Sequence, residues 1–130
     1  MKTVLVFGTF DTIHPGHIDF FQQARRYGDH LVVGIARDQT VKKVKGRIPG
    51  NREFDRKNMV GALRLVDQVL LGSHSDQMYL IRKVKPAVVC LGYDQQVFVD
   101  QLRSVFPKLK VVRLKSYKPR IYKSSKLRQL

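Results

Sequence analysis

Five short apolar runs alternate with helical stripes along these 130 residues, and that alternation restricts the fold more than any other feature. Thr3 to Phe7 is continuously apolar and closed by Gly8, as in a strand buried on both faces. Pro15 suits a first helical turn, and Ile18, Phe20, Phe21 and Ala24 form a stripe ending near Gly28. His30 to Ala36 reads as a second buried strand, followed by a basic loop from Arg37 to Asn51. From Arg52 the pattern is helical again, with Met59, Val60, Leu63 and Val66 on one face. Gln68 to Leu71 makes a short strand, and Gln77 to Lys85 a helix stopped by Pro86. Ala87 to Gly92 is a buried strand, Val97 to Phe106 a helix, Lys110 to Leu114 the last strand, and Ser124 to Leu130 opens a final helix.

This order predicts one α/β domain over residues 1–130, Rossmann-like and doubly wound. It would hold a five-stranded parallel sheet, helices on both faces and right-handed connections. Ligands in such sheets bind outside the carboxyl ends of the strands, where the strand order switches. Three segments are expected there: Gly8 to His17, Gly92 to Gln96, and the loop before Ser124.

Composition narrows the partners. With 25 Lys and Arg against 10 Asp and Glu, the formal charge of +15 favours an anionic ligand, either nucleic acid or a phosphorylated small molecule. The basic residues are spread along the chain, with no interleaved aromatic-basic strand and no zinc-ligand spacing, which argues against a nucleic-acid-binding module. No apolar run approaches a membrane span, and the amino terminus lacks a signal-peptide pattern. The lone Cys90 lies in an apolar run and reads as a buried thiol. A cytoplasmic protein is expected.

The chemistry concentrates in Gly8-Thr9-Phe10-Asp11-Thr12-Ile13-His14-Pro15-Gly16-His17. Gly8 permits a sharp exit from the strand, and Gly16 leaves room for a ligand to approach the main chain. His14 and His17, three apart across a helix start, can direct their imidazoles the same way. The helix N-terminus adds N–H groups and positive potential, so the segment suits phosphoryl chemistry. The same residues also fit a structural turn, or half of a metal site whose further ligands are not evident.

That segment matches every fixed position of the GTFDxxHxGH signature and thereby resembles the cytidylyltransferase-like nucleotidyltransferases. The likeness extends over essentially the whole chain, to members such as archaeal-type FAD synthase and, second, glycerol-3-phosphate cytidylyltransferase. It implies attack by a substrate phosphate on the α-phosphate of ATP or CTP, with pyrophosphate released. His14 and His17 would be catalytic, with a lysine, Lys42 or Lys45, reaching the phosphates. Gly8, Thr9, Phe10, Gly16 and Gly92 would bind the nucleotide, joined by Asp94, which could equally cap a helix. Asp11, Arg56 and Tyr93 would meet the acceptor. Tyr93, Phe98 and Tyr117 are candidate walls for a flavin ring. The nucleotide would bring a divalent cation, Mg2+ or similar, with no tightly bound cofactor, and a homodimer is implied.

A second family signature, RTxGISTT, is altered here to Lys118-Pro119-Arg120-Ile121-Tyr122-Lys123-Ser124-Ser125. Lys118 stands for the arginine, with Arg120 near enough to substitute. Ser124 and Ser125 keep the hydroxyls, and Ile121 replaces the glycine. The change leaves open a member that binds nucleotide without turnover. The Gly92-Tyr93-Asp94-Gln95 stretch favours FMN adenylylation, with glycerol 3-phosphate or another phospho-alcohol as the alternative acceptor.

Overall fold

The computed structural model describes residues 1–93, 95 and 99–117. Its elements run β1 (Thr3–Gly8), α1 (Pro15–Arg25), β2 (His30–Ile35), α2 (Asp38–Lys45), α3 (Glu53–Gly61), β3 (Gln68–Leu71), α4 (Tyr79–Val84), β4 (Val88–Leu91), α5 (Val99–Val105) and β5 (Lys110–Arg113). All four strand pairings are parallel, in the order β3-β2-β1-β4-β5. The expected α/β Rossmann-like sheet of five parallel strands is therefore the fold observed.

Period-two alternation sorts the apolar runs onto both faces of the sheet. Val4, Val6, Leu31, Val33, Ile35, Val88 and Cys90 pack with Phe21 and Ala24 of α1 and Val60 of α3. Leu5, Val32, Val89 and Leu91 pack on the other side with Leu80 and Ile81 of α4 and Leu102 of α5. Helices thus cover both faces, and the central strands are enclosed. Burial holds the Cys90 thiol pKa up at about 11, so it stays protonated.

Several local expectations are corrected. Residues 38–45, expected as part of a loop, form α2: Val41 is buried, and Gly46 ends the helix in the left-handed conformation at φ 80°. Three lysines in its last turn suit the negative helix terminus. Met59 is 38% exposed rather than sharing a buried face with Val60, because adjacent residues of a helix point about 100° apart. Asp67 pairs with Arg25 at 2.6 Å and also accepts from the Leu31 N–H at 2.7 Å. The expected final helix, with Lys118, Arg120, Ser124 and Ser125, lies outside the described residues, as do Asp94 and Phe98.

The reversal of strand order falls between β1 and β4. β2 and β3 extend to one side of β1, while β4 and β5 extend to the other. At the carboxyl end the backbones of β1 and β4 would part, but Gln95 spans them. Its Nε2 donates to the Phe7 carbonyl at 2.9 Å, and its Oε1 accepts from the Gly92 N–H at 2.7 Å.

Candidate active site

A cavity of about 650 Å3 opens over the carboxyl ends of the strands. The loop after β1 supplies its centre, with Gly8, Thr9, Phe10, Asp11, His14, Gly16 and His17 in its lining. Gly92, Tyr93 and Gln95 after β4, and Lys115, Ser116 and Tyr117 after β5, line one side. The other side comes from Arg37, Thr40, Val41, Val44, Lys45, Arg47 and Pro49, together with Gly72, Ser73, Asp76, Gln77 and Leu80.

The two histidines are fixed by the start of α1. His14 is the N-cap residue, and its Nδ1 accepts from the Gly16 N–H at 3.0 Å. His17 Nδ1 in turn accepts from the His14 N–H at 3.3 Å. Each side chain satisfies a backbone donor that a helix start leaves without an intrahelical acceptor. An Nδ1 that accepts carries no proton, so each neutral ring bears its proton on Nε2. The rings stack with centroids 3.9 Å apart.

Both imidazoles are held neutral. Burial, then the charges of His14 and Lys45, bring the His17 pKa down to about 4, and burial lowers that of His14 as well. At neutral pH the pair is two oriented N–H donors rather than two cations. Positive charge comes instead from Lys45, whose Nζ lies 3.4 Å from Thr9 Oγ1. Lys42, the alternative candidate, is exposed and stands outside the cavity lining.

The loop between β1 and α1 is strained and heavily braced. Phe10 has φ 52°, a left-handed backbone that costs a non-glycine residue roughly 1–2 kcal/mol. Its ring fills the space above Gly8, where an added Cβ would sit 2.6 Å from Phe10 ring carbons. The ring also packs edge-on against His17, at 5.3 Å between centroids, and against Phe21 at 5.2 Å. Gly8 is therefore needed for Phe10, and Phe10 for the placement of His17. Although Phe10 touches the cavity, it is 5% exposed and acts mainly as packing.

Braces grip the loop on both sides of Phe10. Before it, the Thr9 carbonyl accepts from Arg56 Nη1 at 2.8 Å. After it, the Asp11 carboxylate accepts from the Gly50 and Asn51 N–H groups at 2.9 and 2.7 Å, while Asn51 Nδ2 donates to the Asp11 carbonyl at 2.6 Å. These contacts give two expected site residues a structural duty. Arg56, read as an acceptor-binding residue, is fully enclosed, and it also donates to the carbonyls of Asn51 and Ala36 and to Asp38 Oδ1. Asp11, read the same way, commits its carboxylate to the loop at 50–51.

Asp38, Glu53 and Asn51 were not singled out from the sequence, yet they complete this frame. Burial alone would raise the Asp38 pKa, but hydrogen bonds from Arg56 and Arg52 more than reverse it and keep the carboxylate ionised. Glu53 behaves alike: burial is outweighed by the Asp38 N–H and by Arg37, 2.7 Å away. An acidic pair sparse among many basic residues was the available signal. Gln95 and Lys115 lie in segments expected at the site, although neither was assigned a role of its own. Arg113, from the end of β5, donates to the carbonyls of Gly92 and Gln95 at 2.8 and 2.7 Å and so holds the loop after β4. Among the described residues, no cluster of three His, Cys, Asp or Glu could hold a metal ion, and no helix is long and apolar enough to cross a membrane.

A family model described as cytidylyltransferase-like matches residues 5–130. The chain is 42% identical over 128 residues to the FAD synthase of Pyrococcus abyssi, covering 95% of this chain and 84% of that one. It is 43% identical to the FAD synthase of Aciduliprofundum boonei, covering 90% of this chain and 80% of that one. Among solved structures, a protein from Thermoplasma volcanium described as a lipopolysaccharide core biosynthesis protein superposes with a TM-score of 0.84 at 37% identity, over 91% of this chain and 99% of that one. A pantoate-beta-alanine ligase from Francisella tularensis, at a TM-score of 0.64 and 17% identity, covers 99% of this chain and 65% of that one and shares the fold.

Proposed function

The chain belongs to the cytidylyltransferase-like family, and on that footing we propose that it transfers the AMP moiety of ATP to the phosphate of FMN, forming FAD and pyrophosphate. An ionised oxygen of the FMN phosphate attacks the α-phosphorus of ATP. The bond to the bridging oxygen breaks, and pyrophosphate leaves with that electron pair. No proton need be removed from the nucleophile, so the protein's task is to align the phosphates and neutralise developing charge. ATP is taken as its complex with a divalent cation, Mg2+ or similar, whose charge offsets that of the departing pyrophosphate.

The observation that carries this reading is the paired imidazoles whose Nδ1 atoms are occupied by backbone N–H groups. Their Nε2–H groups suit phosphate oxygens, and as neutral donors they serve across the physiological pH range without competing protonation. Lys45 adds a cation at the same point. The N-terminus of α1 adds main-chain dipoles aimed at the anion. In this reading Gly92 borders the nucleotide, and Tyr93, expected from the resemblance to meet the acceptor, is reassigned to that side as well. Asp94, Lys118, Arg120, Ser124 and Ser125 are assigned to the nucleotide from the resemblance, and a homodimer is carried over on the same ground.

The relatives named FAD synthase favour ATP and FMN over CTP and glycerol 3-phosphate. The test is pyrophosphate release from ATP or CTP, each offered with FMN, glycerol 3-phosphate or phosphopantetheine. The expected outcome is release with ATP and FMN in the presence of a divalent cation. Turnover restricted to CTP with glycerol 3-phosphate would replace this reading with the second one. No turnover in any pair with Mg2+, Mn2+ or Co2+ would overturn the enzymatic reading.

A further inference from the structure

The side of the cavity over β2 and β3 has a chemistry that phosphate binding does not require. α2 turns Thr40, Val41, Val44 and Lys45 toward the cavity, a spacing of i, i+1, i+4 and i+5 that selects one face of a helix. On that face Val44 is 56% exposed, a large apolar side chain left in water at the cavity mouth. Leu80 and Phe7 contribute apolar surface to the same cavity. Both lie over Gly34, where an added Cβ would come 2.5 Å from Leu80 Cδ1 and 3.1 Å from Phe7 Cδ1. The missing side chain at Gly34 thus lets Leu80 and Phe7 close over the end of β2 as an apolar floor. Exposed Gln77, from the segment after β3, adds an amide with both donor and acceptor.

We infer that this side is the acceptor's ring slot, with Val44 and Val41 as its apolar wall, Leu80 and Phe7 as its floor, and Gln77 at its polar edge. The assignment rests on the function proposed above and decides where the two substrates lie. The acceptor phosphate sits near Lys45, beside Thr9 and the histidines. Its planar body then runs back along α2 over Val44 and Val41, which at about 1.5 Å of rise per residue span roughly 6 Å to Lys45. The nucleotide is left the opposite side, over β4 and β5, so attacking and leaving groups approach the histidines from opposite flanks. A glycerol phosphate has no apolar body to cover Val44, whereas an isoalloxazine ring does. Its pyrimidine edge presents carbonyl and N–H groups in the alternation that a carboxamide such as Gln77 can pair with.

The test is FMN binding, read from flavin fluorescence on the full chain, with Val44→Ser and Val44→Leu compared with the wild type. Val44 is exposed, so neither change disturbs the core. Val44→Ser is expected to raise the FMN dissociation constant about tenfold, as for loss of an apolar pocket contact, and Val44→Leu to leave it near the wild-type value. The KM for ATP should stay within about twofold in both. Unchanged FMN binding in Val44→Ser, with weakened binding in Tyr93→Ala instead, would overturn the slot and move the ring to the β4 side. A wild-type chain that neither binds FMN nor adenylylates it would overturn the function proposed above, and the slot with it.

Discussion

His14 and His17 perform two tasks with one pair of rings. Their Nδ1 atoms cap α1, and that duty dictates which nitrogen keeps the proton. A helix cap made from Ser or Asp would satisfy the same backbone groups but would present no N–H outward. The neutrality of His17 has a measurable signature. Its pKa of about 4 in the folded chain lies below the ordinary value of 6.5, so between these values the unfolded chain binds the proton and the folded chain does not. Stability linked to His17 is therefore intact above about pH 6.5 and lost as pH falls toward 4. Histidine NMR should show the His17 resonances shifting near pH 4. A midpoint near 6.5 would contradict the burial and neighbour charges described for it. From the sequence, the spacing of the two histidines across a helix start was legible, and so was their convergence. Their protonation state was not, because it depends on which backbone groups reach Nδ1 and on a lysine 28 residues from His17 in the chain.

At the scale of elements, the loop after β1 is held by the starts of α2 and α3 and the segment between these helices. Arg56, Asp38, Asn51 and Glu53 form a frame whose hydrogen bonds converge on Thr9 and Asp11, the neighbours of left-handed Phe10. Such a backbone persists only where its surroundings determine it. Replacing Arg56 by Met would leave the ionised Asp38 with a buried partner missing. The expected cost is about 3–5 kcal/mol of unfolding free energy, measured by urea denaturation. A loss below about 1 kcal/mol, the range of exposed pairs, would show that the frame is incidental. The alternation of strand and helix was readable because burial on both faces leaves unbroken apolar runs, as in Val4 to Val6 and Val88 to Leu91. α2 was hidden because Val41 is its one buried apolar residue, buried Asp38 being polar, and its remaining sequence is that of a solvated basic loop. The bracing duty of Arg56 was hidden for a related reason. An arginine near a presumed site suggests a ligand, while full enclosure by backbone carbonyls leaves no trace in a linear pattern.

At the scale of the molecule, the reversal of strand order at β1 divides one cavity into two sides around the histidines. Loops after β4 and β5 border one side, and α2 with the segment after β3 borders the other. Two phosphorylated substrates can thus approach a single strand end from opposite directions, which is the arrangement in-line displacement needs. The excess of basic residues, which by itself fitted nucleic acid as well, then has a local use where Lys45, Arg47 and Lys115 rim the cavity. The most direct test of nucleotidyl transfer at this centre follows the α-phosphate itself, using ATP labelled at that position with FMN and a divalent cation. The account predicts that the label passes into FAD, and that His17→Ala slows the transfer about a hundredfold or more, as for removal of a preorganised donor to a transition state. Label recovered as free AMP, or transfer at an undiminished rate in His17→Ala, would contradict it.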